Sequence, residues 1–280
     1  MTYRDLCARL ASVGIENADW DARLLLEHFC SADASALLTS PDREFSPTEA
    51  LLYAIEQRTS RYPLQYIIGE WEFYRQTYEV SPDCLIPRSD TEILVEAAIK
   101  LLPHGARFAD LCTGSGCIAI STLAERPDTS ALAVDKFEST LALATRNAAR
   151  NGVTDRFDAI HADVLLPDLL PVEAGTLDAI LCNPPYIPTD VLADLEPELS
   201  SEPRAALDGG ADGLIFYETL LKNAAHYLKS DGFFLFEIGY DQADDLKRLG
   251  ARYDFSGIQV LRDYGGNDRV VHLWRKRGIN

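Results

Sequence analysis

The chain has 280 residues, of which 47% are apolar, and it carries 26 Lys and Arg against 44 Asp and Glu, giving a formal charge of −18. The apolar share is enough for a sizeable core, and the length suits one large domain or two ordinary ones. A negative field of this size repels phosphate backbones, which argues against broad nucleic-acid binding, and no apolar stretch approaches the roughly 20 residues needed to span a membrane.

The cysteines and histidines indicate a reduced protein without a metal. The six cysteines include no CxxC pair and several lie in apolar runs, so we expect buried thiols and a cytoplasmic location. The five histidines are scattered without metal-ligand spacing. The first residues lead into an amphipathic segment and not into an unbroken apolar one, so no signal peptide is predicted.

Residues 1–60 are predicted to form a small helical bundle. Helix-start signals lie at 17–19 and 46–49. The bundle contains no catalytic constellation, so it either packs against the rest of the chain or docks a substrate, and we interpret it as a substrate-docking domain. Its apolar residues recur at helical spacing: Leu6, Leu10 and Val13, then Leu24, Leu25 and Phe29, then Leu51, Leu52 and Ile55.

Residues 61–87 differ in character from the bundle. The stretches 62–69 and 71–80 are aromatic and β-prone with interleaved polar residues, which predicts a β-hairpin linking two domains. Ser89 and Glu92 then form a capping-box pattern, in which Ser89 caps a helix while Glu92 reaches back. This helix opens the third predicted region, residues 88–280.

From residue 106 onward, strand-like runs alternate with helical ones. Such a series predicts an α/β, Rossmann-like domain whose sheet is mostly parallel with helices on both faces. Two final strands, 258–262 and 269–275, are expected to add an antiparallel edge. The earlier strands are predicted at 106–111, 131–135, 157–163, 177–183 and 233–238, and the helices between them at 117–125, 138–151, 217–228 and 242–249.

The turn after the first strand of this sheet is rich in small residues. Its glycines allow the backbone to approach a ligand closely. The turn lacks a Walker lysine and the third glycine of a dinucleotide loop. We therefore predict that a different nucleoside cofactor binds at Asp110, Cys112, Thr113, Gly114, Ser115 and Gly116.

Three acidic residues follow or end three successive strands: Asp110, Asp135 and Asp163. Each alone is typical of a helix cap or a turn. Together they indicate a ligand site, in which Asp135 accepts from both ribose hydroxyls of a nucleoside and Asp163 accepts from an adenine amino group. Their charge suits a sulfonium cation better than a pyrophosphate, which favours S-adenosylmethionine over NAD or ATP.

The strand at 177–182 runs into Asn183-Pro184-Pro185-Tyr186. Two prolines cannot continue a central strand, so a rigid loop is predicted at its carboxyl end, where ligands bind in open α/β sheets. The Asn183 carboxamide oxygen, an outward carbonyl at Pro184 and the Tyr186 ring suit a planar group bearing an NH2, such as adenine, cytosine or a carboxamide. The alternative is a plain proline-rich turn.

The motifs together resemble the HemK/PrmC family of release factor glutamine N5-methyltransferases over essentially the whole length. This chain departs from the family at Cys112, where glycine is usual, and at Ser89, where proline is usual. The resemblance rests on the segments 63–69, 85–88, 90–92, 110–116, 183–186, 202–203, 206–207, 209–210, 212–214, 237–239 and 268–271.

The resemblance implies a class I S-adenosylmethionine-dependent methyltransferase, which forms S-adenosylhomocysteine. Its implied substrate is the glutamine of the GGQ motif in class I peptide chain release factors. Asn183, Pro184 and Tyr186 would be catalytic, Pro185 would join them in binding the glutamine, and Asn183 would also contact the cofactor. Val164 would lie against the adenine ring. A monomer that binds neither DNA nor membrane is expected.

Three other functions stay open from the sequence. The NPPY motif also suits an adenine or cytosine methyltransferase of DNA or RNA, although the net charge of −18 argues against it. A glutamine methyltransferase of a large-subunit ribosomal protein would differ mainly in its bundle, and a cofactor-binding scaffold would need no turnover. The roles of Arg88 and Glu237, which lie near the motifs, are also left open.

Overall fold

The computed structural model describes residues 1–167 and 169–275. The chain divides into two compact units. The first comprises Met1–Glu70 together with Glu196–Ser201, and the second comprises Trp71–Leu195 and the chain from Glu202 onward. Among the described residues, no helix has both the length and the apolar character that crossing a membrane requires.

The first unit is built from five helices: α1 (Tyr3–Ser12), α2 (Ala18–Cys30), α3 (Ala34–Thr39), α4 (Glu49–Thr59) and α5 (Leu64–Ile68). The helical prediction for residues 1–60 is confirmed. Thr2 caps α1 in a capping box with Asp5, and Thr48 caps α4 by accepting from the Leu51 N–H. Two predicted core positions are wrong, because Val13 follows the end of α1 at 40% exposure and Leu52 is 46% exposed.

A buried charge cluster in the first unit holds the returning segment Glu196–Ser201. The Arg58 Nε lies 2.7 Å from the Asp21 Oδ2, and its Nη1 lies 3.1 Å from the Glu198 Oε1. Arg61 also pairs with Glu198, at 2.8 Å. Because Arg58 and Asp21 are both buried, this pairing compensates charges that would otherwise be costly to remove from water.

The prediction of a strand at 62–69 is wrong, because Leu64–Ile68 forms the helix α5. Pro63 precedes its first turn, and Gly69 ends it in the left-handed conformation with φ +82 while donating to the Gln65 carbonyl. Leu64 packs in the core of the bundle, so tertiary burial overrides the β propensity of the segment. A hairpin does follow, between β1 (Glu70–Phe73) and β2 (Gln76–Glu79).

The predicted capping box at Ser89 is also wrong. A short 3-10 turn, Ser89–Thr91, precedes α6 (Glu92–Leu101), and neither start has a side-chain cap. The Glu92 carboxylate instead accepts from the Tyr74 N–H at 2.8 Å. Glu92 therefore ties the hairpin turn to α6 instead of reaching back along its own helix.

The second unit contains a seven-stranded sheet with the order β5-β4-β3-β6-β7-β9-β8. The strands β3 to β7 are parallel, and β9 pairs antiparallel with both β7 and β8, as predicted. The strands are β3 (Arg107–Leu111), β4 (Ser130–Asp135), β5 (Phe157–His161), β6 (Leu177–Cys182), β7 (Leu228–Glu237), β8 (Gly257–Arg262) and β9 (Asp268–Trp274).

Helices cover both faces of this sheet. Along β3, Phe108 packs in one apolar cluster while its neighbours Ala109 and Leu111 pack in the other, because successive side chains point to opposite faces. The long helix predicted at 217–228 is shorter than expected, since Leu228 already begins β7. The remaining helices are α7 (Cys117–Glu125), α8 (Glu138–Arg150), α9 (Ile215–Asn223) and α10 (Ala243–Arg252).

Candidate active site

A cavity of about 480 Å³ lies at the carboxyl ends of the central strands in the second unit. The chain leaves β3 toward β4 on one side and returns through β6 on the other, so the cavity occupies the point where the strand order reverses. Its size is within the range of ordinary small-molecule sites. The predicted site residues that line it are Cys112, Thr113, Gly114, Ser115, Asp135, Asp163, Val164, Asn183 and Pro185.

Asp110 lies beneath the glycine turn and does not line the cavity. Its Oδ2 accepts from the Thr113 hydroxyl at 2.7 Å and from the Ala119 N–H at 3.1 Å. Complete burial raises the pKa of Asp110 to about 7, although these two hydrogen bonds oppose the rise. Asp110 therefore shapes the turn between β3 and α7 from below.

The two glycines of the turn have different roles. Both are left-handed, with φ +56 at Gly114 and φ +82 at Gly116. A Cβ at Gly114 would meet nothing within 4 Å, whereas a Cβ at Gly116 would lie 2.7 Å from the Ile120 Cδ1. Gly116, which does not line the cavity, is thus closely packed against Ile120, and Gly114 leaves the backbone open toward the cavity.

Cys112 adopts a backbone conformation that is uncommon for a residue with a Cβ. Its φ is +60, in the left-handed region that favours glycine. Its side chain is half-buried and packs against the apolar cluster on one face of the sheet. The turn therefore tolerates a cysteine where the family usually has glycine.

Asp135 ends β4 with only 8% of its surface exposed. Its Oδ2 accepts from the Gly114 N–H at 3.0 Å and its Oδ1 from the Phe137 N–H at 3.1 Å. Burial raises the pKa of this carboxyl, and the backbone N–H groups oppose the rise. Each oxygen keeps a further lone pair, so the carboxylate can still accept from a ligand's hydroxyls.

Asp163 is paired with a residue that the sequence analysis missed. The Lys136 Nζ lies 2.9 Å from the Asp163 Oδ2, and the Leu165 N–H donates to Oδ1 at 3.0 Å. Partial burial acts to raise the pKa of Asp163, but the Lys136 ammonium and the Leu165 N–H leave it lowered. Lys136 and Phe137 both line the cavity. Their position directly after Asp135 is the sequence feature that could have predicted this.

Asn183 follows β6, the strand that pairs with β3, and it lines the same cavity as the glycine turn. Its Nδ2 donates to the Thr91 hydroxyl oxygen at 3.2 Å. Glu237 ends the neighbouring strand β7, and the side chains of Thr91 and Asn183 lie close enough to its carboxyl to affect its pKa. Burial raises the pKa of Glu237 to about 7, opposed first by the Thr91 hydrogen bond and by the charge of Arg269.

Neither Pro184 nor Tyr186 lines the cavity. Neighbouring segments instead contact this part of the NPPY loop. The Gln242 Nε2 donates to the Tyr186 carbonyl at 3.1 Å. A Cβ at Gly209 would lie 2.8 Å from the Tyr186 Cα, and one at Gly213 would fall onto the Tyr186 carbonyl oxygen. Burial raises the pKa of the Tyr186 hydroxyl, so its ring stays neutral near pH 7.

Arg88 pairs with the carboxylate of Glu202, which is only 6% exposed. The other carboxylate oxygen of Glu202 accepts from the Ile86 N–H at 2.9 Å. Burial raises the pKa of Glu202, and the Arg88 charge opposes that rise. Arg88 lines the cavity, and its guanidinium holds the segment at Glu202 beside it.

Comparison with known proteins gives matches over both units. The PrmC N-terminal domain family matches residues 2–69, and the methyltransferase small domain family matches residues 89–211. The release factor glutamine methyltransferase of Moorella thermoacetica is 39% identical, covering 96% of this chain and 95% of its own. That of Geobacter sulfurreducens is 38% identical, covering 94% and 91%.

The parallel sheet with its antiparallel edge, the glycine turn and the acidic end of β4 define a class I S-adenosylmethionine-dependent methyltransferase. The solved catalytic domain of hMettl16, in complex with MAT2A 3'UTR hairpin 6, shares this fold at 16% identity, with a TM-score of 0.56 over 83% of this chain and 84% of that one. Given the full-length relatives at 38% and 39% identity, the chain belongs to the release factor glutamine methyltransferase family.

Proposed function

We propose that this enzyme methylates the side-chain nitrogen, N5, of the glutamine in the GGQ motif of class I peptide chain release factors, and thereby modulates translation termination. The observation that carries the proposal is that Asn183 lines the same cavity as the glycine turn, with its amide nitrogen held by Thr91. The carboxamide oxygen of Asn183 is then available to a substrate NH2. The names of the relatives support the same substrate.

The residues of the cavity fit S-adenosylmethionine. Asp135 would hold the ribose through its remaining lone pairs, and the adenine would lie against Val164 with its amino group toward Asp163. The residues at 112–115 would face the methionine portion, with Cys112 supplying its backbone. When bound, the cofactor supplies a methyl group on a cationic sulfur, and a field of negative carboxylates stabilises that charge.

The NPPY loop would position the glutamine amide. An amide nitrogen is a poor nucleophile because its lone pair is delocalised into the carbonyl. The Asn183 Oδ1 and the Pro184 carbonyl would accept from the substrate NH2 and hold its nitrogen in a reactive orientation, while Pro185 and Tyr186 would pack beside the amide plane. We assign no general base, because the substrate N–H becomes more acidic as the new N–C bond forms.

The finer division of the chain is also a proposal. Residues 1–60 would dock the release factor, residues 61–87 would form the link, and residues 88–280 would carry the chemistry. We further propose a cytoplasmic monomer that engages neither DNA nor membrane. The net charge of −18 supports this, since it disfavours polyanionic partners.

Transfer of label from methyl-labelled S-adenosylmethionine tests the substrate. The panel contains an intact release factor, the same factor with its GGQ glutamine changed to alanine, a large-subunit ribosomal protein, and duplex DNA. The proposal expects label on the intact release factor alone. Label on the ribosomal protein alone, on DNA, or equally on both release factors would overturn it.

A further inference from the structure

The amide of Asn183 has two buried neighbours outside the NPPY motif, Thr91 and Glu237, of which Thr91 also lines the cavity. Its Nδ2 donates to the Thr91 Oγ1 at 3.2 Å. Thr91 and Glu237 are each only 2% exposed. The parallel register of Cys182 with Phe236 brings the next residues, Asn183 and Glu237, beside each other at the ends of their strands.

The carboxyl of Glu237 completes this arrangement. The side chains of Thr91 and Asn183 lie close enough to this carboxyl to oppose the rise of its pKa. Among the described residues, the buried Oε2 of Glu237 has no hydrogen-bond partner. The carboxyl keeps an accepting oxygen whether it is ionised or protonated.

The buried acceptors beside Asn183, which are the Thr91 oxygen at 3.2 Å and the neighbouring Glu237 carboxyl, favour one orientation of its amide. A carboxyl oxygen that accepts can bond only to donors, so it selects the NH2 end of the amide and the hydroxyl hydrogen of Thr91. The Thr91 oxygen then presents a lone pair, which again selects the NH2 end of Asn183. The opposite flip would bring two acceptors together in a buried place, which is costly.

We propose that Thr91 and Glu237 are positioning residues, which fix the side chain of Asn183 so that its Oδ1 faces the cavity as an acceptor for the substrate NH2. The inference rests on the proposed function and deepens it by assigning a role to two residues outside the NPPY motif. A flipped amide would present its own NH2 to the substrate NH2, and the site would lose its acceptor.

Thr91→Val tests the proposal, because valine keeps the shape and removes the hydroxyl. We expect kcat to fall roughly 10- to 100-fold, as when a buried donor loses its partner, with the Kd for S-adenosylmethionine unchanged. Thr91→Ser should restore activity. The matched control is Thr122→Val, which removes a buried hydroxyl with no hydrogen-bond partner among the described residues and should leave kcat unchanged.

A double-mutant cycle separates positioning from general structural damage. On the Asn183→Ala background, Thr91→Val should cause no further loss of kcat, because there is no amide left to orient. Glu237→Met, which removes the neighbouring acceptor, should likewise cause no further loss of kcat on the Asn183→Ala background. Wild-type kcat in Thr91→Val, or a full additive loss on the Asn183→Ala background, would overturn the proposal.

A second readout does not depend on the substrate. The side-chain NH2 signal of Asn183 in an NMR spectrum, assigned by its absence in Asn183→Ala, should exchange slowly with solvent in the wild type and rapidly in Thr91→Val. Equal exchange in the two proteins would contradict the proposal even if the enzyme proved to act on another substrate. Failure of label transfer to the release factor would contradict only the proposed function.

Discussion

The side-chain amide of Asn183 has very different surroundings at its two ends. The nitrogen lies against Thr91, and the residue as a whole lines the cavity. Asn183 and Asp135 are predictable as strand-end residues that face a ligand, because both lie where an apolar run stops. The pairs Lys136–Asp163 and Thr91–Asn183 join residues from separate elements, and local patterns carry no information about such distant partners.

Asn183→Ala is expected to separate cofactor binding from turnover. Removing an oriented acceptor should lower kcat by about 10²- to 10³-fold, comparable to the loss of one preorganised hydrogen-bonding group in other active sites. The affinity for S-adenosylmethionine, measured by titration calorimetry, should change by at most a few-fold, since Asp135 and the glycine turn remain. Unchanged turnover would show that Asn183 does not hold the substrate amide.

The turn between β3 and α7 combines two demands at the element scale. Gly114 and Gly116 are both left-handed, but only Gly116 is crowded, by Ile120 and Ala144. Asp110 supports the turn from below through Thr113 and Ala119. In this turn, packing therefore constrains Gly116, whereas Gly114 leaves the backbone accessible to a ligand.

Substituting the two glycines by alanine should distinguish these demands. Gly114→Ala has only the left-handed backbone to accommodate and should lower the free energy of unfolding by about 1 kcal/mol. Gly116→Ala adds a clash with Ile120 and should cost roughly 1–3 kcal/mol more. Urea unfolding without cofactor measures both; equal losses would mean that the crowding at Gly116 relaxes freely.

Some secondary-structure elements could be predicted from the sequence and others could not. The parallel sheet and its edge were predictable, because the alternation of apolar strands and amphipathic helices is a local pattern repeated many times. The segment Leu64–Ile68 was not, because five residues are too few for periodicity and burial of Leu64 in the bundle decides their state. Ser89 does not cap the helix, and the Glu92 carboxylate accepts from the Tyr74 N–H, a partner 18 residues away that no local pattern indicates.

At the scale of the whole molecule, the first unit presents exposed aromatic side chains. Trp20 is 50% exposed and Tyr53 is 63% exposed, and both belong to helices of the proposed docking domain. Exposed aromatic residues are enriched where protein partners bind. We therefore expect the binding of the protein substrate to depend on this unit more than the binding of the cofactor does.

Trp20→Ala and Tyr53→Ala should each raise the KM for the release factor about 5- to 50-fold, as expected for an aromatic anchor, and leave the Kd for S-adenosylmethionine unchanged. The matched control is Tyr264→Ala in the second unit, where the tyrosine is 77% exposed. Steady-state kinetics on each variant measures the effect. An unchanged KM in both variants would argue against docking through these side chains, and a loss of cofactor affinity would indicate a structural role.

The stability of the cofactor-free protein should depend on two buried carboxyls. Burial raises the pKa values of Asp110 and Glu237 to about 7 in the folded state. A raised carboxyl pKa gives stability that is fully present below the unfolded pKa of about 4 and is lost as the pH rises to the folded pKa of about 7, by up to about 4 kcal/mol per group. The folded state should therefore weaken between about pH 4 and about pH 7.

Glu237→Gln isolates this effect because it cannot ionise. Its free energy of unfolding should fall less than that of the wild type over the same pH range. The comparison between variants is needed because burial lowers the pKa of His272 to about 4, which destabilises the fold as the pH falls below about 6.5. Identical pH profiles for wild type and Glu237→Gln would contradict the shift assigned to Glu237.

The most direct test of the account is to locate the transferred methyl group in the product. Intact release factor is incubated with S-adenosylmethionine and the enzyme, digested, and analysed by fragmentation mass spectrometry, with Asn183→Ala as the control. The account predicts one added methyl group on the side chain of the GGQ glutamine, lost or strongly reduced with the variant. A methyl group on any other residue, or equal modification by Asn183→Ala, would contradict it.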